Sequence, residues 1–248
     1  MSQIILQTRR LTRAFGGLIA VNNIDMDFYA GELRAIIGPN GAGKTTYLAM
    51  IMGRLKPTSG KIIFKGRDIT GLPPHKVFRF GISTTFQLTS IFPSLTVYEN
   101  VWVAAQSRCK GYMNPLIHHR RLKEAESTVE RILKRLNLDS IASEPAGSIS
   151  HGEQRVLEIG IALATNPEIL LLDEPTSGMS AKEANEMAML IKEIAKEKTV
   201  ILVEHNMDVV MRIADKITVF DKGKILAEGS PKSISENKKV QEVYLGGA

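Results

Sequence analysis

Short apolar runs open the chain. Ile4–Thr8, Ile24–Tyr29 and Leu33–Ile37 read as strands separated by polar or glycine-bearing turns, and Lys61–Phe64 follows as another after the turn Pro57-Thr-Ser-Gly60. A helix is predicted from about Thr45 to Leu55. Between about Ser94 and Pro167 the spacing of apolar positions changes to three and four residues. That period predicts helices over Val97–Ser107, Arg120–Leu138 and Glu153–Thr165. The chain then alternates: strand Ile169–Leu172, helix Ala181–Glu197, strand Thr199–Val203, helix Met207–Ala214, strand Lys216–Phe220. Such alternation predicts a mainly parallel sheet covered by helices, an α/β fold. The expected organisation is one domain over 1–248. Residues 1–93 and 167–230 form its core, β-rich at the N-terminal side. A helical subdomain at about 94–166 is set into that core, and a helical tail follows at 231–248.

Composition narrows the picture. A chain of 248 residues can bury one substantial core with a subdomain. No window approaches the roughly 18 consecutive apolar residues of a membrane span, and no signal-peptide pattern opens the chain, so the cytoplasm is the expected compartment. The single cysteine, Cys109, excludes an intramolecular disulfide. A net charge of +6 raises the question of nucleic acid, but the basic residues are spread along the chain. The densest groups, Arg108-Cys-Lys110 and His118-His-Arg-Arg121 with Lys123, fit a solvated face better than a dedicated patch. His118 and His119 are adjacent rather than one helical turn apart, which makes a poor metal pair.

The chemistry lies behind the third strand. Gly38, Pro39, Asn40, Gly41, Ala42, Gly43, Lys44 and Thr45 match the pattern G-x-x-x-x-G-K-[ST], between a strand and a helix as that phosphate loop requires. Glycines at 38, 41 and 43 let the backbone curl until successive N–H groups converge on an anion. The positive end of the following helix, with Thr46 in its first turn, adds to the same site. Lys44 is expected to reach the β- and γ-phosphates and the Thr45 hydroxyl to ligate Mg²⁺. Ile169-Leu-Leu-Leu-Asp-Glu174 supplies the partner element. An apolar strand delivers two carboxylates to the sheet edge where the loop lies. Asp173 is placed to hold the Mg²⁺ shell and Glu174 to polarise an attacking water.

With these residues in hand, the chain resembles the ATP-binding cassette (ABC) subunits of transporters over essentially its whole length. Thr85-Phe-Gln87 resembles the glutamine loop of that family, Ile149-Ser-His-Gly-Glu153 stands where the LSGGQ signature is usual, and Glu204-His205 follows a strand as the switch histidine does. Phe15 takes the position of the aromatic residue that stacks on adenine. The resemblance implies a P-loop ABC ATPase fold that uses ATP and Mg²⁺. It implies catalytic roles for Glu174, His205 and Gln87, a metal shell of Thr45, Gln87 and Asp173, and a site completed by Ser150 and Gly152 of an opposing cassette. His151 and Glu153 depart from the signature, and Ser180 ends Ser177-Gly-Met-Ser180 where Asp is common. The implied partners are transmembrane permease subunits, a second cassette (identical or paralogous) and, indirectly, a solute-binding protein, with no nucleic acid. The implied location is peripheral, on the cytoplasmic side of the inner membrane.

Gly66-Arg-Asp-Ile-Thr-Gly-Leu-Pro73, Gly81-Ile-Ser-Thr-Thr-Phe-Gln87, Leu95-Thr-Val-Tyr-Glu-Asn100 and Val243-Tyr-Leu-Gly-Gly247 resemble the hydrophobic amino acid uptake group. That group holds the branched-chain amino acid importers and the related urea and short-amide importers. Glu32-Leu-Arg34 and Ser150-His-Gly152 lean toward the urea type. A lipopolysaccharide-export cassette and a soluble cassette acting on ribosomes or DNA are the remaining alternatives.

Overall fold

The computed structural model describes residues 3–85, 91–107 and 115–245, the side chains of residues 115–122 and 245 excepted. The chain divides into two compact units, Met1–Ile82 with Leu171–Ala248, and Ser83–Leu170.

In the first unit, β1 (Ile4–Phe15) and β2 (Leu18–Tyr29) form a long antiparallel hairpin. Both strands exceed their sequence-predicted spans. The register slips between Thr8 and Leu11, and Arg10 sits at φ 46°. A bulge of this kind shifts the phase of the in–out alternation while pairing continues, so a periodicity argument stops too early. Beyond the bulge the hairpin runs on to Phe15, paired with Leu18 at its tip. β3 (Leu33–Ile37) starts the second sheet, and β4 (Ser59–Phe64) pairs antiparallel with β1.

The second sheet runs parallel at its centre, where β3 lies between β8 (Thr199–Val203) and β9 (Lys216–Asp221). Every residue of β3, β8 and β7 (Ile169–Asp173) is buried, as expected of strands covered on both faces. β10 (Lys224–Gly229) adds an antiparallel edge to β9. The pattern reading misses it because its residues are half-exposed and its ends polar. Arg34 of β3 is fully buried, but the charge is paired. Its guanidinium donates to Glu32 at 2.9 Å, Glu228 at 2.7 Å, Thr218 at 3.0 Å and the Asp27 carbonyl at 3.1 Å. Helix α1 (Lys44–Ile51) follows β3, and α6 (Ala181–Ala195) and α7 (Met207–Ile213) follow β7 and β8. The chain closes with α8 (Pro231–Ser235) and α9 (Lys238–Leu245).

The second unit is largely helical, with α3 (Val97–Gln106), α4 (Pro115–Arg135) and α5 (His151–Ala164). Gly160 permits close packing here, since a Cβ would come within 2.9 Å of Leu136 Cδ1. Asn100, 1% exposed, fastens the loop before α3. Its amide accepts from the Phe92 N–H at 2.8 Å and donates to the carbonyls of Phe92 and Thr96 at 3.0 and 2.9 Å.

Candidate active site

The phosphate loop joins β3 to α1 at the C-terminal end of the parallel strands. Gly38 has φ 151° and Gly43 φ 100°. A Cβ on Gly38 would run into the Phe220 carbonyl, and one on Gly43 into the Ala20 carbonyl, so both positions require glycine for space as well as backbone conformation. Gly43 is also the N-cap of α1, and no side chain caps that helix. Its first amides are left for a ligand. The Lys44 ammonium folds back over the loop, donating to the carbonyls of Gly38 at 2.7 Å and Pro39 at 3.0 Å. Burial lowers its pKa, and the charges of Glu174 and Asp173 oppose that shift. Thr45 is exposed and Thr46 half-exposed on the first turn of the helix.

β7 ends at Asp173, 6% exposed. Burial and then the neighbouring Glu174 charge push its carboxyl up to about 6, while Lys44 and Arg54 pull it down. Its Oδ1 is buried and has no hydrogen-bond partner among the described residues. An acceptor of that kind, facing a phosphate loop, fits a cation or its water shell. Glu174 follows at φ 50°, a left-handed conformation that costs a non-glycine residue about 1–3 kcal/mol. Its N–H donates to the Val203 carbonyl at 2.8 Å, which binds the end of β7 to the end of β8. That strain aims the side chain toward the switch segment. Glu174 Oε2 lies 3.8 Å from His205 Nδ1, and the histidine is largely exposed. Lys44, Asp173, Glu174 and His205, from separate stretches of the chain, are thus brought to one place.

Phe15 lies at the hairpin tip, 45% exposed, with the Arg13 guanidinium 4.5 Å from its ring centroid. A cation on the ring and an open aromatic surface suit a flat aromatic ligand. Gln87 lies outside the described residues.

In the second unit, Ser150 is the N-cap of α5 and Glu153 its N3 residue. The Glu153 N–H donates to Ser150 Oγ at 3.3 Å, and Glu153 Oε2 accepts from the Ser150 N–H at 2.8 Å. This is a reciprocal capping box, a role that glutamate and glutamine both fill at that position. Ser180 does the same at the start of α6, where Glu183 N–H donates to Ser180 Oγ and Glu183 Oε2 accepts from the Ser180 N–H at 2.9 Å. Both pairs follow the pattern Ser-x-x-Glu, so the signal was present in the sequence.

Two further residues escaped sequence reasoning. Tyr244 of α9 brings its hydroxyl to the backbone of Gly38, and burial pushes its phenol up to about 12. Glu204 is fully buried beside the switch histidine. Only the fold joins Tyr244 to the site and Glu204 to the turn that leaves β7.

A profile of the ABC transporter family matches residues 21–177. The chain belongs to this family, as one of its ATP-binding, ATP-hydrolysing cassettes. A second profile, of branched-chain amino acid ATP-binding cassette transporters, matches residues 224–248. The chain is 40% identical over 255 residues, the full length of both proteins, to the high-affinity branched-chain amino acid transport ATP-binding protein LivG of Escherichia coli strain K12. It is similar to a cassette of an ABC transporter solved in its ADP conformation (32% identity, TM-score 0.85, 99% of this chain and 100% of that one). It is also similar to a cassette solved as a dimer in a post-hydrolysis state with ADP and Pi (26% identity, TM-score 0.77, 92% and 99% covered).

Proposed function

We propose that this cassette powers the uptake of branched-chain amino acids, working as one of a pair of cassettes against transmembrane permease subunits on the cytoplasmic face of the membrane. The observation that carries this reading is the full-length similarity to LivG, together with the C-terminal match over 224–248. Two of the features that lean toward urea importers have local explanations. Arg34 and Glu32 form an ion cluster in the core, and Ser150 of Ser150-His-Gly152 caps a helix. Neither depends on the solute.

The residues support a division of labour. Phe15 stacks on the adenine, and the amides of Gly41–Thr46 with the Lys44 ammonium hold the phosphates. Thr45, Asp173 and Gln87 are the residues that would hold Mg²⁺, and the orphaned Asp173 Oδ1 fits that role. Bound there, the ion would neutralise charge on the β- and γ-phosphates. Glu174 accepts a proton from water as the water oxygen attacks the γ-phosphorus. The bond from phosphorus to the bridging oxygen breaks, leaving ADP and inorganic phosphate. His205 orients Glu174 and contacts the γ-phosphate. Ser150 and Gly152 meet the nucleotide of the opposing cassette, so ATP closes the pair and hydrolysis releases it.

The test is uptake of labelled leucine and labelled urea in cells lacking this chain, complemented by wild type or by Glu174→Gln. Leucine uptake restored by wild type alone is the expected result. The purified Glu174→Gln complex should bind ATP yet hydrolyse it at least about a hundredfold more slowly. Restoration of urea uptake alone would move the solute, and wild-type hydrolysis by the variant would remove Glu174 as the base.

A further inference from the structure

We infer that Glu204 is a positioning residue for ATP hydrolysis, binding the segment that carries Glu174 to the segment that carries His205 and so fixing the two side chains against each other. The inference rests on the assignment of Glu174 and His205 above.

Glu204 directly follows β8 and has no exposed surface. Four donors converge on its carboxylate. Oε1 accepts from the Thr176 N–H at 2.9 Å and from the Thr176 hydroxyl at 2.5 Å. Oε2 accepts from the N–H groups of His205 at 3.0 Å and Asn206 at 3.2 Å. All four are neutral groups. A buried carboxylate held in this way is an expensive means of ending a strand that is otherwise wholly apolar, Thr199 excepted. What the charge achieves is specific. One oxygen holds the turn that leaves β7, and the other holds the turn that leaves β8.

The placement of these ties gives them a function. Residues 174 and 176 are bound to residues 203 and 204, the first through the Glu174 N–H to Val203 carbonyl bond and the second through the Glu204 carboxylate. Glu174 makes the first tie itself, two residues before the second, in its left-handed conformation and with Oε2 3.8 Å from His205 Nδ1. A residue held at a strained φ keeps that conformation only while its surroundings over-determine it. Without the second tie, Thr176 and the His205 amide are free to relax, and the Glu174–His205 geometry relaxes with them. The Lys44 contacts and the phosphate-loop glycines do not use this carboxylate, so the main effect of losing it falls on turnover rather than on nucleotide binding.

The chemistry of Glu204 selects an unusually informative substitution. Each oxygen faces two donors, and a glutamine would present its own NH₂ to one of the pairs. In either orientation at least one backbone N–H loses its acceptor, although the side chain keeps its shape. Glu204→Gln therefore breaks one tie without opening a cavity.

The experiment measures kcat and KM for ATP, nucleotide affinity and thermal midpoint in the assembled transporter. The variants are Glu204→Gln, Thr176→Val, His205→Ala and the double variant Glu204→Gln/His205→Ala, with single-turnover rates where turnover is slow. Glu204→Gln should lower kcat at least about tenfold with KM and nucleotide affinity held within about threefold. In the His205→Ala background the same substitution should lower the rate by less than about twofold, because the geometry it protects is already lost. Thr176→Val removes only the hydroxyl donor and should lower kcat by a smaller factor, again at constant KM. If Glu204→Gln does not assemble, Thr176→Val carries the test alone, and an unchanged kcat there overturns the proposal. It is likewise overturned by an unchanged kcat in Glu204→Gln, by losses that multiply fully in the double variant, or by KM rising in parallel with the fall in kcat. Retention of wild-type kcat by both Glu174→Gln and His205→Ala would instead refute the assignment of the dyad, a result distinguishable from failure at Glu204.

Discussion

Helices α1 and α5 both begin at positions assigned to phosphate, yet their openings are built in opposite ways. Helix α1 starts behind Gly43 at φ 100°, with no side-chain cap and no acidic residue in its first turn. Helix α5 starts behind Ser150, closed by a full capping box with Glu153. An uncapped helix leaves N–H groups unsatisfied, which destabilises the free protein but leaves donors and a positive end for an anion. A boxed helix satisfies those donors internally and gains local stability. The first design therefore depends on its ligand, and the second holds its shape while waiting for one. In α5 the Ser150 oxygen already accepts the Glu153 N–H, which leaves its own O–H hydrogen available to donate. Helix α6 repeats the closed design at Ser180.

The comparison breaks most visibly at Lys44. Its ammonium is held by the Gly38 and Pro39 carbonyls and partly desolvated, so it is ready to exchange them for phosphate. Lys44→Ala should weaken ATP binding by roughly 10- to 100-fold, measured by titration calorimetry, through loss of charge-assisted hydrogen bonds. An affinity within twofold of wild type would mean that the open helix and its loop bind the phosphates unaided.

A smaller effect is expected from pH, through Asp173. Its carboxyl titrates near 6 in the folded protein against an ordinary value of 3.8, so the free site holds a proton that an unfolded chain would already have released. The stability contributed by that proton is present at low pH and is lost as pH rises from about 4 through 6. Metal requires the carboxylate, so Mg²⁺-dependent nucleotide affinity should rise as pH is raised through about 6 and flatten above it. Asp173→Asn should remove this dependence. A wild-type pH profile unaltered by that substitution would place the titration elsewhere.

The closed openings should respond least. Ser180→Ala removes one cap and should cost about 1 kcal/mol, a fall of roughly 2–4 °C in thermal midpoint by calorimetry. Nucleotide affinity should hold. A comparable fall in affinity would show that Ser180 serves the ligand as well as the helix.

Much of the active site was legible because its chemistry is local. The phosphate loop is one unbroken stretch whose glycines state their own backbone requirement, and Asp173 and Glu174 end a run of buried residues that must be a central strand. The capping boxes were equally legible as Ser-x-x-Glu. The β1–β2 hairpin was readable only in part, because the bulge at Arg10 changes the alternation without ending the strand. α2 (Pro74–Phe80), with one buried residue, and the half-exposed β10 left too little apolar pattern to detect.

The sequence by itself determined the parallel core, the phosphate-binding turn and the pair of carboxylates, since each is set by neighbours within a few residues along the chain. Only the tertiary structure decided that Tyr244 meets Gly38, that Arg34 is neutralised by Glu228 far along the chain, and that Glu204 holds Thr176. Polar side chains declare their type in the sequence, but a hydrogen bond needs a partner at about 3 Å. For residues tens to hundreds of positions apart, only the packing of strands side by side supplies that distance.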